Sequence, residues 1–301
     1  MLLLLLLAVQ APADSTHPLH HALGHDVTLV VNDSGSHVVA EVQTAWLLQS
    51  DLPLRMDLDT AMRVVRVLLD GKENTRMFRT TWGRDGGWVV VPHDKQAGDT
   101  LHSRVRYHGS VRGGLVIRRG SDGALLAWTD NGANRAHDWL PLEDFPSERA
   151  TVRWHVEVGP GEQVIANGVL EKVDTLVRGR TEWHYRMDQA IAPSGMAVGI
   201  GRFLRREFPP AGCAARCVPL AVWARPGDSV RIAVTAEQLR VAVDAASRTR
   251  GRYPYDRLTV VLAGPDSGTA SGAGVVFAAP ETGGPALARA VDEQWVSPGP
   301  P

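Results

Sequence analysis

Lysine is nearly missing from this sequence. Lys72, Lys95 and Lys172 are the only three, and the other cations are arginines in an Ala- and Gly-rich background, a compositional habit to which no function attaches. Net charge is also missing: the formal value is -1, with acids and bases interspersed. That removes the electrostatic footprint a nucleic-acid or anionic-membrane partner requires. Long apolar runs are confined to the first residues, where Leu2–Val9 is too short to span a bilayer as a helix. Followed by Ala11-Pro12-Ala13, a small-x-small signal, this run resembles an export signal without its usual basic flank. The expectation is an exported chain, secreted or periplasmic, with no transmembrane segment.

Cysteine occurs twice, as Cys213 and Cys217 in PPAGCAARCVP. In an exported chain a local disulfide is the default. The alternative, half of a zinc site, needs two further ligands close by in the fold.

Helical periodicity is missing from about His25 to Phe208. HDVTLVV, HVVAEVQTAWLL, LPLRMDLD, MRVVRVLLDG, GGWVVVP, TLHSRVRYHG and ATVRWHVEVG alternate or run with β-branched and apolar residues, separated by turn formers such as NDSGS, DGKEN and RGSDG. The pattern predicts a mainly β fold with antiparallel sheets. The tryptophans within these strands read as core or sheet-face packing. Beyond the Pro/Gly/Cys loop at 209–219 the character changes. PLAVWARPG is a strand, TAEQLRVAVDAASRTRG an amphipathic helix capped by Thr235 and stopped by Gly251, and DRLTVVLAG a strand. GPDSGTASGAG is a flexible loop, GVVFAAP a short strand and PALARAVDEQW a final helix. The order is that of an α+β domain left incomplete.

Several chemistries are weak. The glycines of GPDSGTASGAG lack P-loop spacing and a G-K-S/T end, and Ser267 and Ser271 sit in no G-x-S-x-G elbow. His17, His20, His21 and His25 form a dense cluster that could bind a transition metal or simply be solvated.

Residues 134–152 form a Pro-rigidified loop feeding a strand, which Arg135, Asp144 and Arg149 can hold through charge-assisted hydrogen bonds. Asn134, Arg135, Ala136, Trp139, Pro141, Asp144, Pro146, Ser147, Arg149, Ala150, Thr151 and Val152 also spell most of an N-R-A-x-x-W-x-P-x-x-D-x-P-S-x-K/R-A-T-V signature, with Leu142 where a Cys or Ser is usual. GHDVTLVV, GDTLHSRVRYHG, VIANG and RYPYDRLTVV follow in matching order. In these motifs the chain resembles the aminopeptidase N family of gluzincin zinc metallopeptidases over roughly residues 25–297. The resemblance implies a leader over 1–24, an N-terminal β-saddle over 25–206 and part of a thermolysin-like domain over 207–301.

It also implies where the chemistry would lie. The family's G-A-M-E-N loop carries the Glu that binds the substrate α-amine; that position is Ser271, just ahead of Ala273–Phe277. A neutral hydroxyl cannot ion-pair with an ammonium group. The family's H-E-x-x-H-Q-W helix holds zinc with two His one turn apart and uses the intervening Glu as base. Anchored on Gln294 and Trp295, the first ligand position is Arg289, the base position Ala290 and the second ligand position Glu293. A guanidinium stays protonated and repels a metal, and alanine moves no proton. Glu293 offers one oxygen, and the eight residues after it are too few to deliver a distant third ligand. Two expectations follow: a truncated or degenerate relative without activity or zinc of its own, or a non-catalytic scaffold for peptides or a partner protein covering the incomplete domain.

Overall fold

The computed structural model describes residues 18–295 apart from 32–36, 120–122, 133, 265 and 267. The export signal, His17 and Ser267 lie outside the described residues. The fold is mainly β, as the alternation predicts. In His20–Val31 the side chains of Val27, Leu29 and Val31 point inward and are essentially buried, while Asp26, Thr28 and Val30 face outward, the period of two that a half-buried strand imposes.

An eight-stranded sheet runs in spatial order Val169–Thr175, Thr181–Ile191, Ala150–Val158, His20–Val31, His37–Leu48, Thr100–Ser110, Met62–Leu69 and Lys72–Glu73. Its pairings are antiparallel except for His20–Val31 with Ala150–Val158, which are parallel and therefore need a long connection. That connection builds a three-stranded sheet, Leu54–Asp57, Gly86–Val91 and Phe78–Trp82, and two strands of a four-stranded one. The latter orders Gln163–Ala166, Val198–Gly201, Leu125–Asp130 and Gly114–Arg119. Trp46, Trp128, Trp139, Trp154 and Tyr107 are fully buried in the core.

The β region reaches back to His20, ahead of the leader boundary at residue 24. Glu143 and Glu148 are the reason. The Leu19 N–H donates to Glu143 Oε2 (2.9 Å) and the Ala22 N–H to Glu148 Oε2 (2.9 Å). These carboxylates take the place of a strand neighbour where Ala150–Val158 has not yet begun.

The second region is a five-stranded sheet in the order Leu204–Ala211, Val218–Ala224, Leu258–Leu262, Val275–Ala278 and Thr269–Gly272. Its first strand straddles the boundary expected at 206. Two helices cover it, α1 (Ile232–Arg250) and α2 (Gly284–Glu293), which pack on each other. Among the described residues no helix is long and apolar enough to cross a membrane.

Two local expectations are corrected. Thr235 does not cap α1. A 3-10 turn at Pro226–Arg231 runs straight into the helix at Ile232, so Thr235 is an interior, buried residue, and Gly251 at φ 80° ends the helix as predicted. GPDSGTASGAG is not wholly a loop: Thr269–Gly272 pairs antiparallel with Val275–Ala278 across a two-residue turn. Packing demands the glycine at 272, since a Cβ there would lie 2.5 Å from the Ala197 Cβ.

Candidate functional site

The motifs of the second region converge at one end of its sheet. Thr269–Gly272 is the edge strand, and α2 packs against it and its hairpin partner. Ser271, opposite Val276, has its Oγ shielded from solvent with no hydrogen-bond partner among the described residues. On α2, Leu287, Ala290 and Val291 are buried while Arg289 and Glu293 are exposed. The two positions one turn apart thus share an exposed face, as helical spacing dictates. Ala290 is turned the other way and is 1 % exposed. Asp292 is engaged with Arg250 of α1 through contacts of 2.8 and 2.6 Å. This surface presents one cationic guanidinium, one carboxylate and no group able to accept a proton at position 290.

Gln294 and Trp295 carry a role the sequence did not disclose. Gln294 is 2 % exposed, and its Oε1 accepts from the Gly274 N–H at 2.9 Å and from the Tyr253 hydroxyl at 3.3 Å. Trp295 donates its indole N–H to the Arg252 carbonyl (3.0 Å) and packs edge-on against Tyr253, ring centroids 5.0 Å apart. The EQW, RYPYD and GAGVVF segments are thereby clasped together. Gly274 is required at the centre of the clasp: its φ is +75°, and an added Cβ would meet the Arg257 carbonyl oxygen at 3.0 Å. Gln294→Ala should strand a buried backbone N–H and a buried hydroxyl, at a cost of about 2–3 kcal/mol. Urea denaturation of the two proteins measures it, and a difference below about 0.5 kcal/mol would contradict the clasp.

The sulfurs of Cys213 and Cys217 are bonded to each other, closing the short loop ahead of Val218–Ala224. The N-terminal histidines are dispersed along the first strand. His20 is buried with Nε2 3.5 Å from the Pro53 carbonyl, and His21 Nδ1 lies 3.3 Å from Glu148. His25 Nδ1 is 2.9 Å from the Thr44 hydroxyl, and burial pulls its pKa down to about 4. The signature loop is held largely as expected. Arg135 pairs with Asp130, and Asp144 accepts from both the backbone N–H and Nδ1 of His137 at 3.1 and 2.8 Å.

Among the described residues, one grouping of three potential metal ligands has its ligand atoms mutually close: Asp174, Glu182 and His184. It lies on the eight-stranded sheet and includes none of Ser271, Arg289, Ala290 or Glu293. The side chains at the positions the resemblance assigns to zinc do not fit the metal.

No protein-family profile matches the chain, and no curated protein matches it. Solved structures do match. A mutant of a two-domain M1 zinc metallopeptidase bound to L-arginine superposes with a TM-score of 0.74 at 20% identity, covering 92% of this chain and 65% of that one. The M1 zinc metallopeptidase from Deinococcus radiodurans gives 0.72 at 21% identity, covering 92% and 64%. The chain is therefore built on the fold of the M1, aminopeptidase N-like, zinc metallopeptidases. It spans about 65% of the length of the structures it matches.

Proposed function

We propose that this chain is a degenerate member of the M1 zinc metallo-aminopeptidase group, whose parent activity is release of N-terminal amino acids from peptides, and that it carries no such activity itself. One observation bears the reading: when the Gln294-Trp295 pair that clasps α2 to the sheet is taken as the end of the family's zinc motif, the ligand, base and ligand positions are Arg289, Ala290 and Glu293. The fixed positive charge of Arg289 opposes a divalent cation there, and buried Ala290 has no group to take a proton from water. Ser271 adds a second deficit, because its neutral hydroxyl cannot anchor a substrate ammonium group. The apolar leader and the paired cysteines support an exported setting.

Purified protein incubated with aminoacyl-coumarin substrates and added zinc is expected to release no coumarin above a no-enzyme control. Hydrolysis that a chelator abolishes and zinc restores would overturn the proposal.

A further inference from the structure

The outer face of the eight-stranded sheet carries a row of polar side chains that neither the motif positions nor the core explains. Asp26, His155, His184, Glu182 and Asp174 come from four adjacent strands. His155 and His184 are direct cross-strand partners, and their Nδ1 atoms lie 2.6 Å apart. At one end His155 Nε2 sits 3.0 Å from Asp26 Oδ1. At the other, His184 Nε2 lies 3.0 Å from Asp174 Oδ2 and 3.1 Å from Glu182 Oε2. His184 is 7 % exposed, yet its Nε2 makes no hydrogen bond of acceptable geometry to either carboxylate. A nine-tenths-buried imidazole nitrogen is thus aimed between two carboxylates without a satisfied bond.

The proton inventory suggests what belongs there. One proton must lie between the two Nδ1 atoms. If His184 supplies it, His155 Nδ1 accepts it and the His155 Nε2–H donates to Asp26, so His184 Nε2 presents a lone pair to two anionic oxygens. That tautomer is repulsive unless a cation sits among the three atoms, and it is the tautomer a metal-ligating histidine adopts when its second nitrogen is held by a further residue. Nitrogen-to-oxygen separations of 3.0 and 3.1 Å approach the ~3.3 Å edge of a tetrahedron with bonds of about 2.0–2.1 Å. The strand irregularity between Leu170 and Lys172 sets the register that places Asp174 beside Glu182.

We propose that Asp174, Glu182 and His184 bind a divalent transition cation of the zinc class, with His155 and Asp26 orienting His184. One nitrogen and two carboxylate oxygens suit Zn²⁺, Co²⁺ or Ni²⁺. The Lys172 ammonium, 2.5 Å from Asp174 Oδ2, competes for the same oxygen and opposes an incoming dication. The site is separate from α2 and does not depend on the reading of Arg289 and Ala290.

The test uses the full chain stripped with chelator and titrated with Co²⁺, read by visible absorption, and with Zn²⁺, read by calorimetry. One equivalent is expected to bind. His184→Gln should weaken binding by at least tenfold and His155→Gln by about tenfold, the range for a group that orients a ligand. Lys172→Ala, at an exposed side chain, should tighten binding several-fold, a result that a purely structural role for the cluster does not produce. Glu293→Gln should leave it unchanged. Absence of both signals, or unchanged affinity in His184→Gln and Lys172→Ala, overturns the proposal, as does loss of the bound equivalent in Glu293→Gln or on removal of residues 1–17. Should His184→Gln fail to fold, Lys172→Ala decides: tighter binding supports the site and unchanged affinity defeats it.

Discussion

Trp139→Ala is expected to destabilise the protein by about 3–5 kcal/mol, the range for emptying a fully buried large aromatic site. Trp139 has no exposed surface, and its ring stacks on Trp154 with planes 13° apart and centroids 6.2 Å apart. Its indole N–H donates to Asn131 Oδ1 at 3.0 Å, so truncation also strands a buried amide oxygen. The Asn131 side chain in turn donates to the Met196 carbonyl at 2.8 Å, which extends the disturbance toward the four-stranded sheet. The Trp139 carbonyl accepts the buried Tyr107 hydroxyl at 2.7 Å, a bond that survives only if the loop backbone stays in place. Denaturant unfolding followed by circular dichroism gives the number. Trp139→Phe separates the contributions, because it keeps most of the apolar contact and removes the indole donor; a loss of about half is expected. A Trp139→Ala cost under about 1 kcal/mol would mean that the loop can collapse onto the gap, contrary to its packing here.

The reach of sequence reasoning differs between parts of the molecule for identifiable reasons. The strands around Val27, Val42, Val105 and Trp154 were legible because one face is buried and the other wet, which writes a period of two into the residues. Arg289, Ala290 and Glu293 came to attention through the resemblance, and helical spacing accounts only for Arg289 and Glu293, one turn apart, sharing an exposed face. Thr235 misled because a capping residue also suits a helix interior when a preceding turn has already satisfied the helix start. GPDSGTASGAG misled because small residues have two causes, chain flexibility and close approach, and only the Ala197 contact distinguishes them. The His155–His184 pair could not be read at all. Those residues are 29 apart in sequence, and their meeting depends on the pairing register of two strands, which no local pattern specifies. Glu143 and Glu148 are similar: nothing local in the signature loop marks them, but both are buried and accept backbone N–H groups at the start of the first strand, ahead of its pairing with Ala150–Val158.

Asn167→Ala should produce a loss of comparable size, about 3–5 kcal/mol, through polar groups alone. Asn167 is completely buried at the end of Gln163–Ala166 and serves both regions of the molecule. Its Nδ2 donates to the Gly195 carbonyl at 3.0 Å and to the Ala273 carbonyl at 2.8 Å, while Oδ1 accepts the Ala197 N–H. The Ala273 N–H donates to that same Gly195 carbonyl at 2.8 Å. Ala273 belongs to the turn between Thr269–Gly272 and Val275–Ala278, so this asparagine pins the hairpin bearing Ser271 to the β-saddle. Truncation would leave the Ala197 N–H and the Ala273 carbonyl without their side-chain partner in a space that a methyl group cannot fill. Asn167→Asp should be as damaging, because a carboxylate cannot donate to two carbonyls and would be a charge buried without a counterion. Hydrogen exchange locates the effect: protection should fall first at Ala197 and across Thr269–Gly274 while the strands around Val27 and Val42 stay protected. Uniform loss across both regions would show that the hairpin is held by its own sheet. The expected pattern assigns the holding of the hairpin and of α2 to Asn167, Gln294 and Gly274, to which buried Ala290 and the Ser271–Val276 strand pairing add, whereas Arg289 and Glu293 lie on the exposed face of the helix.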